Sequence, residues 1–344
     1  LHKAIRRQRQ MCIRDRNQAC TDKITEILDN DNDRFHAVIY DANDQVLESI
    51  QDLTYDIMNR LNDEENVRKI EVEGNIPFLN SSETALELID TPGTNNSRNQ
   101  EHKNTTYRAL NSGANSLILY ILNGTQLQTN DDANLLDYVA KQIRKGGKQV
   151  RDRFLFVVNK MDDINPEDED VQDILKDVRA YLGQFGIEDP QVFPCSAFTA
   201  LNLQVHLKGI DIDNLSRSEE RKLPAAAKDA ITMAYKFMDY PTMHLERYST
   251  LSPSAQNELY DRLKNAETRG DTNEQVMIHC GICSIEAAIT AYVKKYARTK
   301  KIKDLVESFE QVLESSQVLV KAKTQVATDE ETAKACAERA AAVR

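Results

Sequence analysis

Residues 153–162 read Arg-Phe-Leu-Phe-Val-Val-Asn-Lys-Met-Asp. Phe154 to Val158 is an unbroken run of apolar, largely aromatic and β-branched side chains. A short run that is apolar on both faces predicts a strand buried inside a parallel sheet. The polar residues begin immediately after it. Asn159, Lys160 and Asp162 are therefore expected on the loop that leaves the strand's carboxyl end.

The same strand signal recurs on either side: Ala85–Ile89 before Asp90, Ser116–Leu122 (SLILYIL) and Gln191–Pro194. Upstream, Ile24–Leu28 and Ala37–Tyr40 are short candidate strands around an Asp/Asn-rich turn at 29–33. Residues 45–61 read as helical. Helices are predicted over about 130–145 and 166–185. The second starts at Asn165-Pro166-Glu167-Asp168, with Asn as N-cap, Pro at the first position and acids in the first turn. Strands alternating with helices predict an α/β fold with a mostly parallel sheet wrapped by helices. Residues 201–275 are polar and helix-prone, and read as a helical insert. Ile282, Ile285, Ile289, Tyr292 and Tyr296 then follow an amphipathic spacing. Ile302, Leu305, Phe309, Val312 and Leu319 recur near every 3.5 residues, a spacing that suits a helical bundle or coiled-coil stalk.

Composition bounds the function classes. The 344 residues include 40% hydrophobic and 29% charged side chains, enough for a core. Eleven glycines and eight prolines are few, which disfavours a turn-rich all-β fold. The net charge is -11, so the chain's overall field argues against non-specific nucleic-acid binding. Six cysteines without a paired framework fit a reducing, cytoplasmic setting. Residues 1–16 stand apart: they hold six basic residues and one acid, with no clean apolar period. They read as a non-native segment, with the native chain expected to begin near Asn17 and to be cut at its N-terminus. The helix-favouring stretch at 337–344 is expected to be cut as well.

Three sites at strand ends carry chemistry. Asp90-Thr91-Pro92-Gly93 follows the strand at 85–89. An Asp there can hold Mg²⁺, and the Gly93 amide can approach a terminal phosphate closely because no Cβ intervenes. Asn159-Lys160-Met161-Asp162 is the more particular pattern, with a chance expectation of about 0.04 over the chain. Asp162 can accept both the ring N–H and the exocyclic amine of a guanine edge. Asn159 can reach the N7/O6 side and tie neighbouring loops together, and the Lys160 stem can lie along the base. Adenine offers an acceptor where guanine has its N1 hydrogen, so it would leave the carboxylate unpaired. Cys195-Ser196-Ala197 follows the last strand, where the Ser196 and Ala197 amides can meet a base oxygen. Carboxyl ends of successive strands are where ligands bind in open α/β sheets.

In order and context these motifs resemble the third, fourth and fifth motifs of a GTPase, and the fuller pattern resembles the dynamin-like family of large GTPases, particularly its bacterial members. Ala19-Cys20-Thr21 is similar to that family's switch-I region. The resemblance makes Thr21 the switch threonine that contacts Mg²⁺ and the γ-phosphate, with Thr25 as the rival. The 69-residue step from Asp90 to Asn159, the helical insert, and His279-Cys280-Gly281-Ile282 leading into a helix resemble the family too. The resemblance implies a GTPase domain over 17–298, with its insert at about 201–275, and the start of a helical stalk at 299–344. It implies GTP/GDP and Mg²⁺ as ligands, with Thr21 and Asp90 on the metal. It further implies a homodimer through G domains, membrane remodelling, and lipid contact through segments outside this chain. No nucleic-acid partner is expected, and localisation is expected to be cytoplasmic or peripheral to a membrane.

One departure is large. Gly-x-x-x-x-Gly-Lys-Ser/Thr occurs nowhere in the sequence; Gly147-Lys148 is followed by Gln149. The phosphate cradle is thus lacking. This chain is expected to bind GTP weakly or not at all, while the full-length parent hydrolyses it. No catalytic residue is named, because Thr94 follows Gly93 where Ras-like enzymes carry Gln. Two other readings stay open: a pseudo-GTPase scaffold acting through its stalk, and another kind of large GTPase. Cys280-x-x-Cys283 beside His279 reads as core packing, not zinc.

Overall fold

The computed structural model describes residues 23–30, 32–78, 86–90, 117–127, 130–207, 209–210, 212, 214–315 and 318–342. Thr21, Gly93 and Thr94 lie outside these residues. The chain divides into two units, residues 1–292 and 293–344.

The first unit holds two sheets. The first contains β1 (Ile24–Asp29), β2 (His36–Tyr40), β3 (Val46–Ile50), β4 (Lys69–Gly74) and β5 (Glu87–Asp90), in the order β3-β2-β4-β1-β5. Only β1 and β4 pair in parallel; the other three pairings are antiparallel. The expected parallel character therefore belongs to the second sheet. One face of the first sheet is apolar: Ile27, Ile39, Ile70 and Val72 are buried there with Leu61 of helix α1 (Tyr55–Asp63). The opposite face is charged, and Lys69 sits 2.7 Å from both Glu26 and Glu71. This alternation is the period-2 signature of a sheet wet on one side.

Two expectations change here. Residues 45–61 are not one helix. Val46–Ile50 pairs with β2 across a turn at 41–45, and the helix begins only at Tyr55. The side chain of Asp41 accepts from the amides of Asn43 (2.8 Å) and Gln45 (2.9 Å), and Asp44 sits at φ 57°. That turn chemistry outweighs the helix-like pattern. Strand β4 is also new. Its sequence Lys-Ile-Glu-Val-Glu-Gly alternates charge with apolar residues, which masks the apolar face.

The second sheet contains β6 (Ile118–Asn123), β7 (Phe154–Asn159) and β8 (Gln191–Pro194), all parallel, in the order β6-β7-β8. Central β7 is buried from Phe154 through Val158, as its two-sided apolar run requires. Helices α2 (Asn130–Arg151) and α3 (Val171–Gln184) connect these strands. Gly147-Lys148 lies within α2. Helix α3 starts five residues later than expected. Asn165 forms a local turn with the Glu167 amide (3.3 Å), and Asp170 is the actual cap, accepting from Gln172 N at 2.8 Å.

After β8 come α4 (Ala197–His206), α5 (Arg217–Lys222), α6 (Ala225–Asp239), α7 (Pro253–Arg269), α8 (Thr272–His279) and α9 (Ile282–Ser315). The described residues of 201–275 form helices and no strand, as the composition of that stretch predicts. Cys280 and Cys283 are free and buried in this core. The second unit comprises the later part of α9 and α10 (Val318–Ala342), on which Phe309 is 62% exposed and Val326 58%. Among the described residues no single helix is long and apolar enough to cross a membrane.

Among the described residues, one group of histidine and carboxylate ligand atoms is compact enough to invite a metal: His244, Glu246 and His279. The two imidazoles stack at 3.6 Å between centroids and 10° between planes. An ion about 2 Å from each nitrogen would lie well out of both ring planes. The cluster is a packing feature, with His279 Nδ1 3.1 Å from Glu246 Oε1. Burial, and then His279, pull the pKa of His244 from 6.5 down to about 4. The unfolded chain therefore binds a proton between those values that the folded chain refuses. The contribution is complete above pH 6.5 and disappears as pH falls through about 4. Lowering pH from 7 to 4.5 should remove about 2 kcal/mol through this residue, partial solvent access allowed for. His244→Phe should lose that component. Urea titrations of both proteins at the two pH values measure it, and equal pH sensitivity would refute the assignment.

Candidate functional site

The carboxyl edge of the second sheet brings together five of the residues singled out from sequence: Asn159, Lys160, Asp162, Ser196 and Ala197. Asn159 ends β7. Lys160 follows in the left-handed region (φ 68°), turning the chain sharply into a short 3₁₀ turn, Met161–Asp163, whose Met161 is buried. The turn is anchored below by Met161 N donating to Cys195 O (3.3 Å).

Asn159 joins the two loops. Its Oδ1 accepts from the Ala197 amide (3.0 Å) and, more distantly, from the Cys195 thiol (3.7 Å). Two donors on that oxygen fix the orientation of the amide and leave Nδ2 to face elsewhere. The thiol stays protonated, since burial and the charge of Asp162 push Cys195 up to about 12. The expectation that the Ser196 and Ala197 amides meet a base oxygen gives way here. Ala197 N is engaged by Asn159, and Ser196 N donates to Cys280 O at 2.8 Å. Their role in the structure is to hold the loops together.

Asp162 is held by its neighbours. Ser196 Oγ donates to Asp162 Oδ1 at 2.7 Å. Ser196 is also the N-cap of α4, its Oγ accepting from Thr199 N at 3.0 Å. Thr199 Oγ1 lies 2.8 Å from the same oxygen. A serine has one hydroxyl proton, and an ionised carboxylate can only accept. The proton of Ser196 therefore goes to Asp162, and Thr199 donates to Ser196. A chain of two hydroxyls ends on the carboxylate.

Three further segments complete the frame, and none was singled out as a site from sequence. Gly124, after β6, donates to Asn159 O at 2.9 Å. A Cβ there would meet Met161 Sδ at 3.0 Å. Gly281 (φ 81°) lies so close to β8 that a Cβ would fall 2.1 Å from Pro194 O. Lys236 of α6 donates to the carbonyls of Asp162 (2.7 Å) and Ile164. Glycine at 281, just before a helix, was the one legible signal; the other two depend on tertiary contact.

Asp90 ends β5 in the other sheet, half-buried, with Thr25 opposite it in register. Thr25 itself is buried within β1. Thr21 and Gly93 lie outside the described residues, so the metal-side half of the expected set is represented by Asp90 alone.

The family model described as "Dynamin family" matches residues 8–161. No curated protein matches the sequence. Two solved chains, both described as belonging to an oligomerised bacterial dynamin pair that senses and tethers membranes at long range, are similar in structure. One is 13% identical with a TM-score of 0.41, covering 86% of this chain and 44% of that one. The other is 15% identical with a TM-score of 0.39, covering 73% and 43%. This chain thus spans less than half the length of either. The family match ends on the loop that begins with Asn159 and Lys160, and over residues 8–161 the chain is thus similar to the dynamin family.

Proposed function

We propose that the carboxyl edge of the second sheet reads a guanine base, and that this chain is the base-recognising part of a dynamin-type GTPase. The observation that carries the reading is the pairing of Asp162 with Ser196 and of Asn159 with Ala197 across two strand-end loops. Asp162 would accept the N1 and exocyclic N–H donors of guanine as charge-assisted hydrogen bonds. Asn159 Nδ2 would donate toward N7, and the Lys160 stem would cover one face of the ring. Asp90 and Thr21 would hold Mg²⁺ in the parent, as hard oxygen donors suit that ion. Mg²⁺ supplies charge neutralisation at the phosphates when bound. GTP-driven dimerisation of G domains and membrane remodelling belong to the same proposal for the full-length protein.

The sequence lacks the glycine-rich Lys-Ser/Thr phosphate loop. Most of the affinity that phosphates would add is therefore missing. Binding to this chain should be weak and dominated by the base. Ligand-detected NMR with millimolar GTP and ATP tests both halves. The expected result is weak binding of GTP that ATP does not displace. Equal displacement by ATP would remove the role given to Asp162, and micromolar affinity for GTP would contradict the missing cradle.

A further inference from the structure

The helical insert reaches the base-reading loop through one side chain. Lys236 lies on α6, 74 residues from Asp162 in sequence, and its Nζ donates to Asp162 O at 2.7 Å and to Ile164 O. Those carbonyls close the 3₁₀ turn Met161–Asp163, where backbone acceptors lack partners within the turn. An ammonium group there satisfies two of them with charge-assisted bonds. Burial lowers the proton affinity of Lys236, opposed by the nearby charges of Asp162, Asp163 and Glu169. A second contact follows just beyond the end of α6, where Tyr240 OH donates to Glu167 Oε1 at 3.0 Å. The insert therefore holds the segment 162–167 at two points, the first at the residue that would read the base.

We propose that Lys236 is the positioning residue of the base-reading loop, fixing the backbone of Asp162 so that its carboxylate meets both guanine donors together. The proposal rests on the guanine reading above. The carboxylate has two anchors of different origin: Ser196 holds the side chain from α4, and Lys236 holds the main chain from α6. Removing the main-chain anchor leaves the turn free to shift while Ser196 still restrains the carboxylate. One guanine donor can then be met without the other. A displacement of the insert would have the same effect, so base affinity becomes dependent on where α6 sits.

Two measurements on the whole chain test this with Lys236→Met, which keeps most of the stem and removes the donors, and Lys236→Arg, which restores them. The first is amide hydrogen exchange without nucleotide. Residues 160–165 should exchange at least about ten-fold faster in Lys236→Met, residues 225–235 should keep their protection, and Lys236→Arg should recover most of the loss. The second compares guanosine with inosine, which lacks the exocyclic amine, by ligand-detected NMR. The guanosine preference should fall several-fold in Lys236→Met, whereas general weakening of the fold would lower both ligands alike. Unchanged exchange at 160–165, or an unchanged guanosine-to-inosine ratio in a variant that still binds, overturns the proposal. If wild-type protein binds neither nucleoside, the guanine reading fails, and exchange alone decides whether Lys236 holds the loop.

Discussion

Asp162→Asn should exchange guanine for xanthine as the preferred base. The substitution is isosteric, and Asn Oδ1 can still accept from Ser196 Oγ, which sits 2.7 Å from the native carboxylate oxygen. The change at the ligand is chemical. Guanine presents two donors side by side, and an amide offers one acceptor and one donor to meet them. One hydrogen bond is lost, one donor faces another, and the charge assistance disappears. Each of these effects is worth on the order of 1–3 kcal/mol, so guanosine binding should fall by at least about 100-fold. Xanthine carries an oxygen in place of the exocyclic amine. The amide can donate to that oxygen and accept from N1–H. Xanthosine should therefore bind the variant at concentrations where it does not bind the native chain. Ligand-detected NMR with both nucleosides gives the answer, and the gain matters more than the loss. A variant that loses guanosine without gaining xanthosine would mean that Asp162 supports the loop but does not read the base.

Gly281→Ala is expected to have the largest effect on stability. Gly281 adopts φ 81°, which L-residues rarely occupy, and the added Cβ would meet Pro194 O at 2.1 Å. Leu245 Cβ and Cys195 Cα are each only 3.2 Å from the same position. The obstacle is backbone at the end of β8, with no flexible tip to move aside. Relief would have to come from parting β8 and the 280–281 turn. That parting would break the hydrogen bond from Ser196 N to Cys280 O. The cost should be at least about 3 kcal/mol, combining backbone strain with a steric clash, and should lower the Tm by about 10 °C. A thermal melt of the variant decides it, and a Tm within about 2 °C of the native value would show that the approach is looser than described. Because Ser196, which holds Asp162, is hydrogen-bonded to that turn, loss of base binding should accompany the loss of stability.

The three strands of the parallel sheet and strands β1, β2 and β5 of the other sheet were legible in the sequence, whereas β3 and β4 were not, for a definite reason. Strand β7 is buried on both faces, so its apolar run has no competing pattern. Strands β6 and β8 flank it: β8 is buried over Val192–Pro194, and β6 buries Tyr120 and Leu122. Strand β4 faces water on one side, and β3 is exposed along most of its length. There Glu71, Glu73 and Glu48 interrupt the apolar residues, and the pattern can pass for a loop or a polar helix. In the site, Asn159 and Asp162 were legible because local spacing constrains them. Their partners were only partly so. Ser196 lies close to a recognisable strand end, but its hydroxyl chain to Thr199 requires the helix cap to be seen. Lys236 was invisible: a lysine on a polar helix has no distinguishing neighbours until the insert folds onto the loop. The Asn165-Pro166 start misled because a local Asx turn competes with helix initiation, and Glu167 is drawn to Tyr240 instead.

The frame around Asp162 draws on Gly124, Asn159, Cys195, Lys236 and Cys280. A nascent polypeptide leaving the ribosome would present the loop at 159–163 long before its last support. Contacts between such widely separated segments form late and cost loop-closure entropy first. Until the turn at 280–281 has been synthesised and docked, the loop that carries Ser196 lacks its bond to Cys280. Maturation of the site is thereby tied to completion of the whole folding unit.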